Sequence, residues 1–147
     1  MPVGVKVRPI VQADVPALAE LYLRAYESRA QTFDDAATEM RSAFDGTWGV
    51  LWPEASPSAW TGDELVAVVQ AVRRPSEELM PDAPDCPWLI EVFTDPRHRR
   101  TGFARGLMAA ACEVMEAAGE GRVGLTVDDN NIPAVALYKS LGFSKEM

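Results

Sequence analysis

The spacing of apolar and polar positions changes period several times along the chain, and each change marks an element. Val5 and Val7 alternate with Lys6 and Arg8, the two-residue period of a short half-buried strand closing at Pro9-Ile10. From Asp14 the period lengthens. Val15, Leu18, Ala19, Tyr22 and Tyr26 recur at helical spacing, with Asp14 as N-cap and Pro16 in the first turn. A second helical stretch runs from Asp34 or Asp35 toward Phe44. Between Gly46 and Ser58 the tryptophans, prolines and glycines follow no period, which predicts a loop. The segment "SPSAWTGDELVAVVQAV" predicts two strands joined at Thr61-Gly62-Asp63, the second a long apolar run from Leu65 to Val72.

Prolines and acids dominate "RRPSEELMPDAPDCP", an irregular acidic surface loop. "WLIEVFT" follows as a buried strand stopped by Asp95-Pro96. Phe103, Leu107, Met108, Ala111 and Met115 then mark one face of a helix ending near Gly119. "RVGLTV", residues Arg122 to Val127, is another strand. A last helix begins near Asn130 or Asn131, carries Pro133 in its first turn, presents Ala134, Leu137, Tyr138 and Leu141 on one face, and ends at Gly142. The alternation around a central hairpin predicts an α+β, three-layer α/β/α fold, a mixed sheet with helices on both faces. With no repeat and no linker, residues 1–147 are expected to form a single domain.

Composition narrows the class. A hydrophobic fraction of 48%, with 24% charged and 8% aromatic residues, belongs to an ordinary globular chain rather than a disordered one. No run approaches the ~18 apolar residues of a membrane helix, and "MPVGVKVRPIVQAD" lacks a signal-peptide core, so a cytoplasmic location without membrane contact is expected. Cys86 and Cys112 lie outside any Cys-x-x-Cys spacing and there is one histidine; neither a disulfide nor a metal site is expected. A net charge of -8 opposes broad contact with nucleic acid, which requires an extended basic surface.

Against that acidic background, "DPRHRRTGFARGLM" (residues 95 to 108) concentrates Arg97, His98, Arg99, Arg100 and Arg105 where a helix begins. A helix N-terminus carries about half a positive charge, so cations there are unfavourable unless an anion joins them. The first amides of a helix lack internal partners, and the small residues Gly102 and Ala104 let a ligand approach the backbone. A phosphate or pyrophosphate would turn the cations from a liability into contacts. The competing reading is a solvated turn balanced by nearby acids. Gly-x-x-x-x-Gly-Lys-Ser/Thr is absent, and Gly102 and Gly106 do not have dinucleotide-loop spacing.

The same stretch resembles the acyl-coenzyme A signature of the GNAT superfamily of N-acyltransferases, Arg/Gln-x-x-Gly-x-Gly/Ala, read here as Arg99-Arg100-Thr101-Gly102-Phe103-Ala104. Downstream, "NIPAVALYKSLGF" is similar to that superfamily's Asn-x-x-Ala-x-x-Leu-Tyr-x-x-x-Gly-Phe element, through Asn131, Ala134, Leu137, Tyr138, Gly142 and Phe143. Two such elements in family order are far more specific than either alone.

The resemblance implies a mostly antiparallel sheet and acetyl-CoA as co-substrate. Glu91 to Thr94 would splay from the neighbouring strand at a bulge and hydrogen-bond the pantetheine arm, placing the thioester beside Val92 and Phe93. Amides from Arg100 to Ala104 would hold the pyrophosphate, with Arg97, His98, Arg99 or Arg105 reaching the nucleotide phosphate and Asn131 steadying the far side. The reaction implied is direct attack of a small-molecule amine on the thioester. A primary amine of pKa about 10 needs a base at neutral pH. Glu91, the one acid in an otherwise apolar strand, is the candidate; it could equally face solvent or pair with an arginine. Tyr138 matches the family tyrosine that protonates the leaving thiolate, although its apolar neighbours also suit a core tyrosine.

Two departures stand out. Thr126 occupies a position where the family's ribosomal-protein branch usually carries an acid, which argues against peptide N-termini as acceptors. Members also usually continue past Gly-Phe into a hairpin, whereas Ser144 to Met147 follow here, so a truncated hairpin and an open strand edge at Arg122 to Val127 are expected, and with them a homodimer. A catalytically silent acyl-CoA-binding module of the same fold is the second reading. An interaction protein without cofactor is the third. The first helix, the Gly46 to Pro57 loop and the Glu77 to Asp85 loop would choose the acceptor, and the acids of the last suit a cation.

Overall fold

The computed structural model describes residues 4–27, 31–127 and 131–144. Strands β1 (Val5–Pro9), β2 (Gly49–Leu51), β3 (Pro57–Thr61), β4 (Glu64–Pro75), β5 (Trp88–Thr94) and β6 (Gly124–Leu125) form one open sheet in the order β1-β3-β4-β5-β6, with β2 also pairing β4. All pairs are antiparallel except β5 with β6. Helices α1 (Val15–Ala25) and α2 (Phe33–Arg41) cover one face, and α3 (Phe103–Ala117) covers the other, with α4 (Ile132–Ser140) beside it. This is the expected three-layer arrangement.

The helical period predicts the α3 core face residue for residue, since Phe103, Leu107, Met108, Ala111 and Met115 are its buried positions. At α1 the predicted cap differs in detail. Asp14 occupies the N-cap position, but its carboxylate takes the Val11 amide at 2.9 Å and both Arg8 Nη atoms at 2.8 and 2.9 Å instead of a first-turn amide. The second helix starts earlier than expected because Thr32 caps it: Thr32 Oγ1 accepts from the Asp35 amide and Asp35 returns a carboxylate to the Thr32 amide.

Strand β4 is buried from Leu65 to Val72, on both faces, which is why it reads as a continuous apolar run. Its pairings with β2, β3 and β5 each carry a register shift. Pairing passes from Ala59↔Ala67 to Trp60↔Leu65, leaving Val66 extra, and from Gln70↔Glu91 to Ala71↔Leu89, leaving Ile90 extra in β5.

Two expectations are corrected. The region from Gly46 to Ser58 is not a plain loop; it holds β2, a 3-10 turn at Pro53–Ala55 and the first residues of β3. Three residues are too few for a visible period. Where β2 ends and β3 has not yet begun, the wholly buried Ser56 completes the β4 ladder with its side chain: its Oγ accepts from the Ala71 amide at 2.9 Å and donates to the Trp52 carbonyl at 2.8 Å. The second correction is β6, reduced to Gly124–Leu125 rather than Arg122 to Val127. Of the two proposed starts of the last helix, Asn130 lies outside the described residues, and Asn131 is the N-cap.

At the end of β5 the wholly buried Asp95 ties four elements together. Its Oδ1 accepts from the Arg97 amide at 2.9 Å and Arg97 Nε at 3.1 Å; its Oδ2 accepts from Arg97 Nη2 at 2.9 Å and from Arg24 Nε of α1 at 3.0 Å. Arg97 also bonds Glu64 at the tip of the β3–β4 hairpin. The Arg97 hydrogen bonds hold the Asp95 carboxyl well below the usual carboxylate range, against the opposing effect of burial. At Asp14 burial works upward, but the Arg8 and Val11 hydrogen bonds outweigh it and the net shift is downward.

Replacing Ser56 with Ala orphans the buried Ala71 amide and is expected to cost about 1–3 kcal/mol, read as a lower denaturant midpoint with unchanged slope. Because both carboxyls bind protons more weakly folded than unfolded, their stabilisation is complete above the ordinary carboxylate range and is lost as pH falls below about 4 toward the folded values. Urea titrations between about pH 6 and 2 should show that fall, and Asp95→Asn should flatten it while lowering stability at neutral pH.

Candidate active site

The turn after β5 is irregular. A 3-10 turn at Pro96–His98 leads through Arg99 to Arg100, the one described non-glycine residue with positive φ, at 65°. Gly102 follows at φ 86° as the N-cap of α3 and offers no side-chain cap. Two of three successive residues are thus left-handed, and the first-turn amides of Phe103, Ala104 and Arg105 have no intrahelical acceptor.

The arginines of this turn are largely committed. Arg97 belongs to Asp95 and Glu64, so it is not a free cation for a nucleotide phosphate. Arg99 donates from Nη2 to the Ala25 carbonyl at the end of α1, at 2.8 Å, and Arg105 donates from Nη2 to Ser140 Oγ of α4, at 2.7 Å. Each keeps further N–H donors. Arg100 makes no hydrogen bond or ion pair among the described residues. His98 packs its ring edge-on against Phe103.

Beside the turn lies a cavity of about 690 Å³. One wall is β5, at Val92, Phe93 and Thr94; a second is the turn and α3, at Arg99, Arg100, Gly102, Phe103, Ala104 and Arg105. Helix α4 supplies Asn131, Ala134 and Tyr138. Two predicted site residues stand apart: Glu91 and Thr101 do not line it, and Thr101 turns its hydroxyl to the His98 carbonyl. The sequence missed the fourth wall, Ala25 and Tyr26 at the end of α1. Tyr26 stacks with Tyr22 and Phe93 at ring distances of 4.9 and 5.9 Å, and its place at the end of an apolar stripe was the available signal.

Parallel pairing of β5 with β6 ends at Leu89↔Leu125, so β5 has no β6 partner along Glu91 to Thr94, which is the opening that admits the cavity. Tyr138 is half-buried there, and its hydroxyl makes no hydrogen bond among the described residues. Burial, and then the negative charge of Glu91, raise its pKa above the ordinary phenol value. Glu91 is half-buried opposite Gln70, whose amide contacts Met40 of α2; the register therefore puts Glu91 on the α2 face of the sheet. Asn131 accepts from the Ala134 amide at 3.3 Å and caps α4. Two helix N-termini thus converge on one cavity, which suits an elongated, anionic ligand.

The profile of the acetyltransferase (GNAT) family matches residues 15–143. The mycothiol acetyltransferase of Kocuria rhizophila is 31% identical over 99% of this chain and 48% of its own length. The ribosomal protein bS18-alanine N-acetyltransferase of Escherichia coli K12 is 35% identical over 57 residues, 39% of this chain and 38% of that protein. The chain spans about half the length, or less, of these curated relatives. Among solved structures, the PaiA N-acetyltransferase of Thermoplasma acidophilum in complex with coenzyme A shares the fold at a TM-score of 0.68 and 13% identity, covering 97% of this chain and 91% of that one. Acetyl-CoA is the co-substrate of the family. Cavity, turn and family profile agree, and the chain belongs to the GNAT acetyltransferase family.

Proposed function

We propose that this protein is an N-acetyltransferase that transfers the acetyl group of acetyl-CoA to a primary amine of a small molecule by direct attack. The observation that carries this reading is the single cavity bounded by the open edge of β5, the unpaired amides of α3 and the Tyr138 hydroxyl. The pyrophosphate takes the amides at Gly102 to Arg105, with Arg99, Arg100 and Arg105 adding charge-assisted contacts. The pantetheine arm pairs with the backbone of Val92 to Thr94, and Asn131 steadies the far side.

The amine nitrogen attacks the thioester carbonyl, and its proton passes to Glu91 directly or through one water. The C–S bond then breaks, and the thiolate takes a proton from Tyr138, giving the amide and free thiol; Glu91 returns the proton to the tyrosinate. Tyr138 lines the cavity, and Glu91, outside the lining on the α2 face of β5, acts electrostatically on Tyr138, which supports the pairing of the two in this reading. A phenol of raised pKa stays protonated at neutral pH, the state a donor needs. That donor, whose hydroxyl makes no hydrogen bond among the described residues, favours an enzyme over a silent acyl-CoA-binding module.

The acceptor enters past Tyr26 from the α1–α2 side, and a cytoplasmic amine fits this reading. The relatives named for mycothiol and for a ribosomal protein make both small molecules and peptide N-termini acceptors to assay. An amine panel with acetyl-CoA, followed by thiol release, tests activity and acceptor together.

Gly102→Asp is expected to abolish acetyl-CoA binding in titration calorimetry, since it puts a carboxylate where the pyrophosphate lies. Gly102→Ala separates charge from strain: a Cβ there meets no atom, so this variant loses only about 1–2 kcal/mol of stability to the left-handed backbone. Equal affinity of the aspartate variant and the parent would move the phosphate site elsewhere.

Tyr138→Phe should lower turnover about 100-fold or more with acetyl-CoA affinity nearly intact. Glu91→Gln should behave likewise and recover partly at high pH, where the amine is already neutral. Parent rates in both variants would make these residues structural.

The reading also takes the protein as a homodimer formed through the outer edge of β6, the last strand of the sheet among the described residues. Light scattering at micromolar concentration should give twice the 16.1 kDa chain mass; a clean monomer that binds acetyl-CoA removes the dimer alone.

A further inference from the structure

Asp95 touches neither the cavity nor any group assigned to chemistry, yet its side chain receives more hydrogen bonds than its role as an N-cap needs. Its backbone is fixed as well. The Asp95 amide donates to the Val66 carbonyl of β4 at 2.8 Å, and its carbonyl accepts from the His98 amide at 2.8 Å. Beyond it, the turn has no ladder. Arg99 to Gly102 reach α3 through two left-handed residues; Thr101 bonds the His98 carbonyl within the turn, and what ties that path to other elements is Asp95 at its entry and the Arg99 bond to Ala25 at its middle.

Those two anchors meet on the last turn of α1. Arg24 runs from α1 to Asp95, with Nη2 also on the Leu65 carbonyl at 3.3 Å, and Arg99 runs back from the turn to the Ala25 carbonyl. Ala25 and Tyr26 form the cavity wall opposite the turn. Any shift of the turn therefore moves both sides of the cavity.

We propose that Asp95 is a positioning residue for acetyl-CoA: through Arg97 and Arg24 it fixes the anion-binding turn against the end of α1, so that the two walls of the cofactor cavity are held as one unit. The proposal rests on the acetyl-CoA reading above. It gives Asp95 a role in affinity rather than in the chemical step, because no atom of it reaches the cavity. Asp95→Asn keeps the shape but sets an amide donor against guanidinium donors, which frees Arg97 and lets the turn drift. A misplacement on the ångström scale weakens a preorganised site steeply.

Titration calorimetry of the 147-residue chain with acetyl-CoA separates this from a merely structural role, because stoichiometry reads the folded fraction whereas Kd reads the geometry of the site. Measured well below each variant's melting temperature, Asp95→Asn should bind about tenfold or more weakly at unchanged stoichiometry. Arg24→Lys keeps the charge but loses the two-point contact, and should fall between the parent and Asp95→Asn. Arg74→Gln, which breaks the ion pairs with Asp85 and Glu120 away from the cavity, serves as control and should stay within about twofold of the parent. Asp95→Asn with parent affinity, or with reduced stoichiometry alone, overturns the proposal. Should that variant not fold, Arg24→Lys with parent affinity overturns it equally. A parent protein that binds no acetyl-CoA overturns the functional reading itself, a distinct failure visible before any variant is made.

Discussion

A carboxylate without exposed surface is tolerable only where its charge is matched, and Asp95 is matched by two guanidinium groups that reach it from different parts of the chain. Arg24 brings α1, and Arg97 brings the turn together with the hairpin tip at Glu64. Sequence distance is bridged at one point: residues 24, 64, 95 and 97 share a charge network, although Arg24 and Asp95 are 71 residues apart. Asp95 follows directly on β5, so the network also fixes where that strand stops and the turn begins. The placement of the α3 amides follows from it, and through them the shape of the cavity.

Seen from this network, the crowd of cations at the start of α3 is less anomalous than the helix dipole alone makes it. Arg99 lies at the unfavourable end of α3 but at the favourable end of α1, where its guanidinium takes an orphan C-terminal carbonyl. Arg97 is neutralised by two carboxylates, and Arg105 points to Ser140. Arg100 makes no hydrogen bond or ion pair among the described residues and is held in a left-handed conformation that costs about 1–2 kcal/mol. Strain and positive charge coincide at one residue beside open amides, and an anionic ligand neutralises the second of them.

What the sequence revealed divides along a physical line. Where burial alone sets the pattern it was legible: the core face of α3, the long apolar β4 and the hairpin at Gly62 all followed from period and turn residues. The basic turn was legible as a motif: from His98 to Arg105 every residue but Thr101 lines the cavity, while Arg97 turns away to Asp95 and Glu64. Elements held by neighbours rather than by their own pattern were not legible. β2 has three residues and survives on pairing with β4, Ser56 replaces a missing ladder bond, and β6 shrinks to two residues beneath the Trp88 ring. Tyr26 reads as one more apolar position on α1, and only the fold brings it opposite the turn. Glu91 was found by its oddity in an apolar strand, yet its distance from the cavity wall depends on the bulge at Ile90, which no local pattern announces.

Helix α4 shows how ligand and fold are linked. It is apolar along Ile132 to Tyr138, yet none of its residues is buried, and Ile132 is 73% exposed. Such a helix gains little from propensity, and its stability comes from packing. Leu137, Tyr138 and Leu141 pack, partly buried, against the α3 core, and Leu137 and Tyr138 also border the space of the cavity. Under the proposed function the pantetheine arm and acetyl group fill that space, so the cofactor completes the apolar contacts of α4 as well as meeting the amides of α3. A ligand that binds the docked form better than the loosened one shifts the local equilibrium toward docking by its differential affinity. Under that reading the edge of β5 beyond β6, the partly buried α4 and the Tyr138 hydroxyl, which makes no hydrogen bond among the described residues, are parts of one arrangement that the thioester would complete.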